Sequence, residues 1–492
     1  MIVDAGEMAG RREIRADVVV VGTGAGGAPA AKELAEAGAT VVMLEEGAHH
    51  PTDTLTARPR ESLATLYRDG GQIATVGAPP IVLPLGRAVG GTTLVNSGTC
   101  FRTPPHVLER WRREIGLELD LEPCFERVEA ELNVVEVPPE LAGRNAAIVR
   151  RGAQALGVSS GYLRRNVRGC VGSGVCAYGC PAGAKQHTGA TYVPKAHAAG
   201  AVTYTGVRVR RILVERGRAV GVEGRTAAGG RLRVRAGRVI LAAGAVHTPV
   251  LLARNRLGGA SGMLGRNLSI HPATAARARF DEDVVMWDGV PQSYHVDELA
   301  SDGIMLEGIA GPPDYLAMAI PRIGPEHREL MLDARRLAQF GVMVCDTGRG
   351  RVHDLLGRPV IRYDLHREDA ARFVRGLELL ARIWFAAGAR EVVVPVKGVP
   401  ALHDGDTSPL HAARVRPRDL TLMAFHPLGT ARAGADPERS VLDPELQVRG
   451  TPGLYVCDGS AVPTSLGVNP QITIMAMATR LAHRLACVPS RG

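Results

Sequence analysis

The sequence has little that would anchor it in a membrane, cross-link it or fasten it to nucleic acid. Its 492 residues include eight cysteines: Cys100, Cys124, Cys170, Cys176, Cys180, Cys345, Cys457 and Cys487. That density is far below a secreted disulfide scaffold, and a reducing cytoplasm is the expected compartment. No run of ~18 apolar residues occurs, so no spanning helix is expected. The first sixteen residues are polar, and no apolar stretch with a cleavage site follows Arg11 and Arg12, so no targeting signal is read. Lysine is scarce: of 59 basic residues only Lys32, Lys185, Lys195 and Lys397 are lysines, and the arginines are scattered. The net charge of +9 therefore forms no nucleic-acid stripe, although anionic partners would be attracted. Aromatic residues make up only 4%, and there are no repeats or low-complexity tracts. What remains, 45% apolar and 22% charged, is an ordinary globular composition long enough for two or three domains.

The stretch Asp17–Gly47 organises the chain. Val18–Val21 is a short apolar run with a Gly-rich loop directly behind it. Gly22, Gly24 and Gly27 stand at the G-x-G-x-x-G spacing. Ala28–Ala37 predicts a helix, ended by Gly38, and a second apolar run, Val41–Leu44, finishes on Glu45. This is a β-α-β dinucleotide unit: Gly22 permits the tight turn, Gly24 lets backbone approach a pyrophosphate, and Gly27 lets helix and strand pack closely. The helix N-terminus offers free N–H groups to phosphates. Glu45 lies where a carboxylate can hold a ribose hydroxyl. The fingerprint alone does not separate NAD from FAD.

Beyond it, His49–Gly71 shows no clear period and is read as a surface excursion. Gly86–Gly98 contains Gly90-Gly91-Thr92-Thr93, which suits a loop pressed against a flat ligand or a phosphate. Residues 105–153 read largely helical, with Trp111, Ile115 and Leu119 at an amphipathic spacing. Cys170, Cys176 and Cys180 follow in an irregular, Gly-rich stretch. A helix is expected over Tyr192–Ala199, and strands over Val207–Val214, Ala219–Glu223 and Val239–Ala243. The last runs into a small-residue turn at Gly244. From about Ala273 the pattern changes: Arg277–Val285 alternates like an antiparallel strand, and Glu368–Ala387 places Phe373, Leu377, Leu380 and Trp384 on one helix face. The final helix is expected over Ile474–Ala486.

Asp17–Gly47, Gly86–Gly98, Gly244–Leu252, Gly265–Pro272 and Thr421–Thr473, in this order, resemble the glucose-methanol-choline (GMC) family of FAD-dependent oxidoreductases. The resemblance covers essentially the whole chain and is closest to long-chain-alcohol and sterol-type members. It implies an α/β fold: a doubly wound, Rossmann-like FAD domain built from discontinuous segments, plus an α+β substrate domain on an antiparallel sheet. The implied division is 15–272 for the FAD domain, 273–419 for the substrate domain and 420–492 for the C-terminal return. The resemblance assigns Gly22, Gly24, Ala25 and Gly27 to the pyrophosphate, Glu45 to the adenosine ribose and Val207 to the adenine. Gly91, Thr92 and Asn96 run along the pyrophosphate and isoalloxazine; Asp458, Gly459 and Pro470 contact the ribityl chain and ring. Pro84 and Leu85, not a histidine, stand just ahead of Gly86-Arg87, which the resemblance takes to imply noncovalent FAD.

The active-site pair implied by the resemblance is His426 with Asn469. The chemistry is oxidation of an alcohol to a carbonyl, with hydride transfer to flavin N5. A neutral imidazole with an ordinary pKa near 6.5 can take the hydroxyl proton, and a neighbouring amide can hold the substrate oxygen. The expected partners are a small-molecule alcohol and an electron acceptor: oxygen, a quinone or a protein carrier. The spacing of Cys170, Cys176 and Cys180 resembles that of iron–sulfur-bearing members, while the Gly179–Gln186 string resembles members not known for a cluster; three free thiols is the preferred reading, and no metal is expected. Alternatives of other classes are a GMC-type lyase or decarboxylase and a flavin-binding electron-transfer subunit. An NAD dehydrogenase finds no support after Gly47.

Overall fold

The computed structural model describes residues 1–487. Its first sheet runs, edge to edge, Ile2–Asp4, Val202–Thr205, Val41–Leu44, Arg11–Val21, Arg231–Leu241, Arg218–Thr226 and Val207–Glu215, and Leu454–Val456 also joins Arg231–Leu241. The first five strands and Leu454–Val456 are parallel; the last two turn back antiparallel. Val18–Val20 lie fully inside because both faces of a parallel sheet are covered. In register, Val18 pairs with both Val41 and Arg238. The fingerprint helix, Gly27–Glu36, packs on one face with the final helix, Gln471–Ala486. The C-terminal segment therefore returns to the nucleotide-type sheet.

A second, antiparallel sheet runs Leu402–His403, Glu391–Val393, Pro272–Arg279, Leu337–Val344, Ile304–Gly308, Tyr294–Val296 and Ser160–Tyr162, and Met423–Ala424 also pairs with Pro272–Arg279. The helix Arg367–Ala386 covers its back, and Phe373, Leu377, Leu380 and Trp384 are wholly buried there. Each such side chain contributes about 1.5–3 kcal/mol by leaving water. Each sheet thus carries its own apolar core.

Several elements differ from the sequence expectation, for physical reasons. The first long strand starts at Arg11, not Val18, because its polar half pairs with Arg231–Ala236 at the open end of the sheet. The strand expected over Arg277–Val285 is Pro272–Arg279. Within it Arg277 is buried and donates to Gln339 and the Ala275 carbonyl. Leu119 is not part of the Trp111 face: the helix stops at Gly116, whose φ is +60°, and Leu117 is buried instead. His49–Gly71 is more than a surface excursion. It forms the helix Pro59–Leu66, and Leu55, Leu66 and Tyr67 build a small core with Ala88, Leu94 and Val95.

The helix Gly143–Leu156 meets Arg367–Ala386 at Gly152, where an added Cβ would lie 1.9 Å from the Ile383 carbonyl oxygen. Alanine would favour the helix by about 1 kcal/mol, but forcing the helices apart costs about 1–3 kcal/mol or more. Gly152→Ala is therefore expected to lower the thermal unfolding midpoint; an equal or higher midpoint in a calorimetric scan would contradict this packing.

Candidate active site

A cavity of about 480 Å³ draws its wall from both sheets and from the loops between them. Its floor is set by one threonine in the fingerprint loop. Thr23 Oγ1 donates to Glu45 Oε2 at 2.7 Å, and the Thr23 backbone N–H donates to the same oxygen at 3.1 Å. Glu45 Oε1 accepts from the Gly47 N–H. Thr23 Oγ1 also accepts from the Gly90 N–H at 3.0 Å, and its carbonyl accepts from Thr188. Burial raises the Glu45 carboxyl above its usual pKa, against these hydrogen bonds. Gly24 and Gly91 then face each other across the floor: a Cβ on Gly91 would lie 3.0 Å from Gly24 Cα.

Asp458 fixes the far side. Its Oδ2 accepts from the Gly244 N–H and from Thr248, at the start of the helix Gly244–Arg254, and its Oδ1 accepts from the Ser460 N–H and hydroxyl. A carboxylate at a helix N-terminus is favoured by the orphan N–H groups there. Here it joins the second small-residue turn to the C-terminal segment.

His426, Asn469 and Glu307 gather on the same cavity. Asn469 sits just before the final helix, whose N-cap is Pro470. Its Nδ2 lies 3.3 Å from Glu307 Oε2 and 3.4 Å from His426 Nε2. Gln292 Nε2 donates to the same Glu307 oxygen at 2.9 Å, and Thr99 donates to Gln292 at 2.6 Å. An amide donating to Nε2 leaves the imidazole proton on Nδ1. Desolvation, with the neighbouring His271 ring, pushes the His426 pKa down to about 3, well below the ordinary value expected from sequence. Desolvation pushes Glu307 up to about 7. Three buried atoms here, His426 Nδ1, Asn469 Oδ1 and Glu307 Oε1, have no hydrogen-bond partner among the described residues. Buried polar atoms are normally paired, so such a cluster marks where a ligand supplies the partner.

Of the residues singled out in the sequence, Gly22, Gly24, Ala25, Glu45, Gly91, Thr92, Asn96, Val207, Asp458, Gly459 and Pro470 line this cavity together with His426 and Asn469. Gly27 does not line it. A Cβ there would sit 2.0 Å from the Gly22 carbonyl oxygen, so its part is to let helix and strand touch. Gly26 is as constrained, with a Cβ position 1.4 Å from the Cys457 carbonyl oxygen. Sequence reasoning missed Gly26, Thr99, Gln292 and Glu307. The one signal for Glu307 was a lone acid inside the apolar run Ile304–Gly308. The glycine floor, the buried carboxylate at the strand end and the orphaned polar atoms fit a flat, phosphate-bearing cofactor of the FAD type.

Cys170, Cys176 and Cys180 line a separate cavity with room for about one water molecule. Among the described residues, no three His, Cys, Asp or Glu side chains come together as a metal-binding set. Among the described residues, no helix is long and apolar enough to cross a membrane.

Comparison with known proteins accords with this geometry. Sequence models of the N- and C-terminal parts of GMC oxidoreductases match residues 63–273 and 346–478. An uncharacterised GMC-type oxidoreductase of Mycobacterium tuberculosis is 44% identical, over 96% of this chain and 76% of its own length. A long-chain-alcohol oxidase of Arabidopsis thaliana is 29% identical, over 96% of this chain and 67% of its own. Among solved structures, formate oxidase of Aspergillus oryzae RIB40 superposes with a TM-score of 0.75 at 17% identity, covering 96% of this chain and 98% of that one.

The Thr23 hydroxyl is both donor and acceptor in a closed site. Thr23→Val strips Glu45 of one donor and the Gly90 N–H of its acceptor, at about 1–3 kcal/mol for each group left unpaired. Urea denaturation is expected to shift to lower concentration for Thr23→Val and to stay near wild type for Thr23→Ser. A valine variant as stable as wild type would contradict this reading of the floor.

Proposed function

The chain belongs to the GMC oxidoreductase family, and from that premise we propose that it oxidises an apolar alcohol to a carbonyl at His426, Asn469 and Glu307, with noncovalently held FAD. The observation that carries this reading is the convergence of His426 Nε2, the Asn469 amide and Glu307 on one cavity. Bound FAD supplies the acceptor for the carbinol hydride. Gly22, Gly24, Ala25, Gly91 and Thr92 would hold its pyrophosphate, Glu45 its ribose and Val207 its adenine. Asn96, Asp458, Gly459 and Pro470 would hold the ribityl chain and ring. In the same reading, residues 15–272 and 420–492 form the cofactor part, and 273–419 form the substrate part, joined there by the strand Ser160–Tyr162.

The chain's own groups do three things. Asn469 hydrogen-bonds the substrate oxygen and steadies its alkoxide character. His426, held neutral by burial, receives the substrate hydroxyl proton at Nε2 once the substrate oxygen takes the place of the 3.4 Å contact with the Asn469 amide. Glu307, when ionised, stabilises the imidazolium so formed, acting across the shared Asn469 amide. Ile309, Met318, Val342, Met343 and Phe425 on the cavity wall support an apolar, long-chain or sterol-like alcohol. The low aromatic content argues the same way against sugars. The alcohol-oxidase relatives support oxygen as the electron acceptor.

Two measurements test this. With FAD-loaded enzyme and long-chain primary alcohols, His426→Ala is expected to lower kcat by about a hundred- to ten-thousand-fold, the usual worth of a positioned base. Undiminished turnover would remove His426 from the reaction. Glu307 is neutral below its raised pKa and ionised above it, so kcat should rise with pH through about 7. Glu307→Gln should be slow and lack that step; a mutant profile that keeps it would contradict the role of Glu307.

A further inference from the structure

The sequence placed three cysteines within eleven residues, and the proposed alcohol chemistry uses none of them. Cys176 lies on a single 3-10 turn, Cys176–Tyr178, and Cys180 follows it after Gly179, whose φ is +84°. Two cations are buried against this turn. Arg165 and Lys185 are 0% and 2% exposed, and neither has a carboxylate within ion-pair distance among the described residues. Arg165 Nη2 instead donates to Cys176 Sγ at 3.1 Å. Lys185 Nζ donates to the Cys176 carbonyl at 2.7 Å and to the Asn96 carbonyl at 2.8 Å, and its charge is felt by both Cys176 and Cys180. Buried cations without a counter-charge are costly, so a thiolate is the anion this site calls for. Arg165 and Lys185 together hold the Cys176 thiol below its usual pKa, against its burial. The three cysteines and Lys185 share a cavity with room for about one water molecule, next to the exposed Val171. Arg165 Nη1 is a buried donor with no acceptor among the described residues.

We propose that Cys176 is a peroxide-reactive thiolate that closes a reversible disulfide with Cys180 beside the cofactor cavity. The oxidant is hydrogen peroxide. The Cys176 sulfur attacks one peroxide oxygen; an S–O bond forms, the O–O bond breaks and hydroxide leaves. The sulfenic oxygen then finds donors in the guanidinium. The Cys180 thiol gives up its proton and attacks the Cys176 sulfur; the S–S bond forms, the S–O bond breaks and water leaves. Two thiols and one peroxide thus become one disulfide and two waters. Sulfenate formation favours an electropositive site of this kind. The same cations hold the Asn96 and Ser97 carbonyls at the cavity wall. Oxidation therefore loosens that wall, and dithiothreitol restores it.

The test uses the FAD-loaded protein, titrated with hydrogen peroxide, alkylated and mapped without reduction by tandem mass spectrometry. The exposed Cys487 is the internal reference. Cys176 is expected to be lost on the order of tenfold sooner than Cys487, as a Cys176–Cys180 disulfide that dithiothreitol reverses. In Cys180→Ser, dimedone should label Cys176 under the same dose. The proposal is overturned if Cys487 reacts first, or if Cys176 stays free of dimedone in Cys180→Ser. It is also overturned if the purified protein carries iron on these three thiols.

Discussion

The hydrogen bonds between Thr23 and Glu45 tie together parts of the chain that the sequence keeps apart. A carboxylate buried this deeply is unfavourable unless donors surround it. Thr23 and Gly47 supply those donors, and the threonine hydroxyl passes the connection on to Gly90. The fingerprint loop, the end of the second strand and the Gly90–Gly91 loop therefore hold one another. The Gly24–Gly91 contact exists because neither residue carries a Cβ. Asp458 repeats this arrangement across the cavity, where a buried carboxylate joins a helix N-terminus to the C-terminal segment. The cofactor-sized cleft is the space these two carboxylates hold open.

The His426, Asn469 and Glu307 cluster, the proposed reactive end, follows a different rule. Environment, more than residue type, divides the roles there. Burial makes the histidine a weaker base than its model compound and makes the glutamate a weaker acid. Groups whose pKa values are pushed away from their ordinary ranges are where acid–base work is found. Asn469 is the hinge between them, because a single amide nitrogen approaches both.

Much of this was legible in the sequence. The glycine spacing and the acid at Glu45 needed only local pattern, the His426 and Asn469 pair came from the family resemblance, and the structure brings them to one cavity. Gly27 was legible as a packing glycine and lies outside the cavity wall. Glu307 was not legible, because its meaning depends on strand register: Glu307 pairs with His295 and Gly341 across an antiparallel sheet, and no local motif encodes that. The burial of Arg277 was not legible either, since alternation identifies two faces of a strand but not which one is covered. Nor could cysteine spacing say whether three thiols surround a metal. What the spacing did not show is that Arg165 and Lys185 lie buried against Cys176.

The most direct test of the central claim is an anaerobic absorbance titration of the FAD-loaded protein with long-chain primary alcohols, sterols and sugars. The account predicts that the visible flavin absorbance is lost on adding an apolar alcohol and persists with a sugar. Flavin absorbance that no alcohol diminishes, or a protein that retains no flavin after reconstitution, would contradict it.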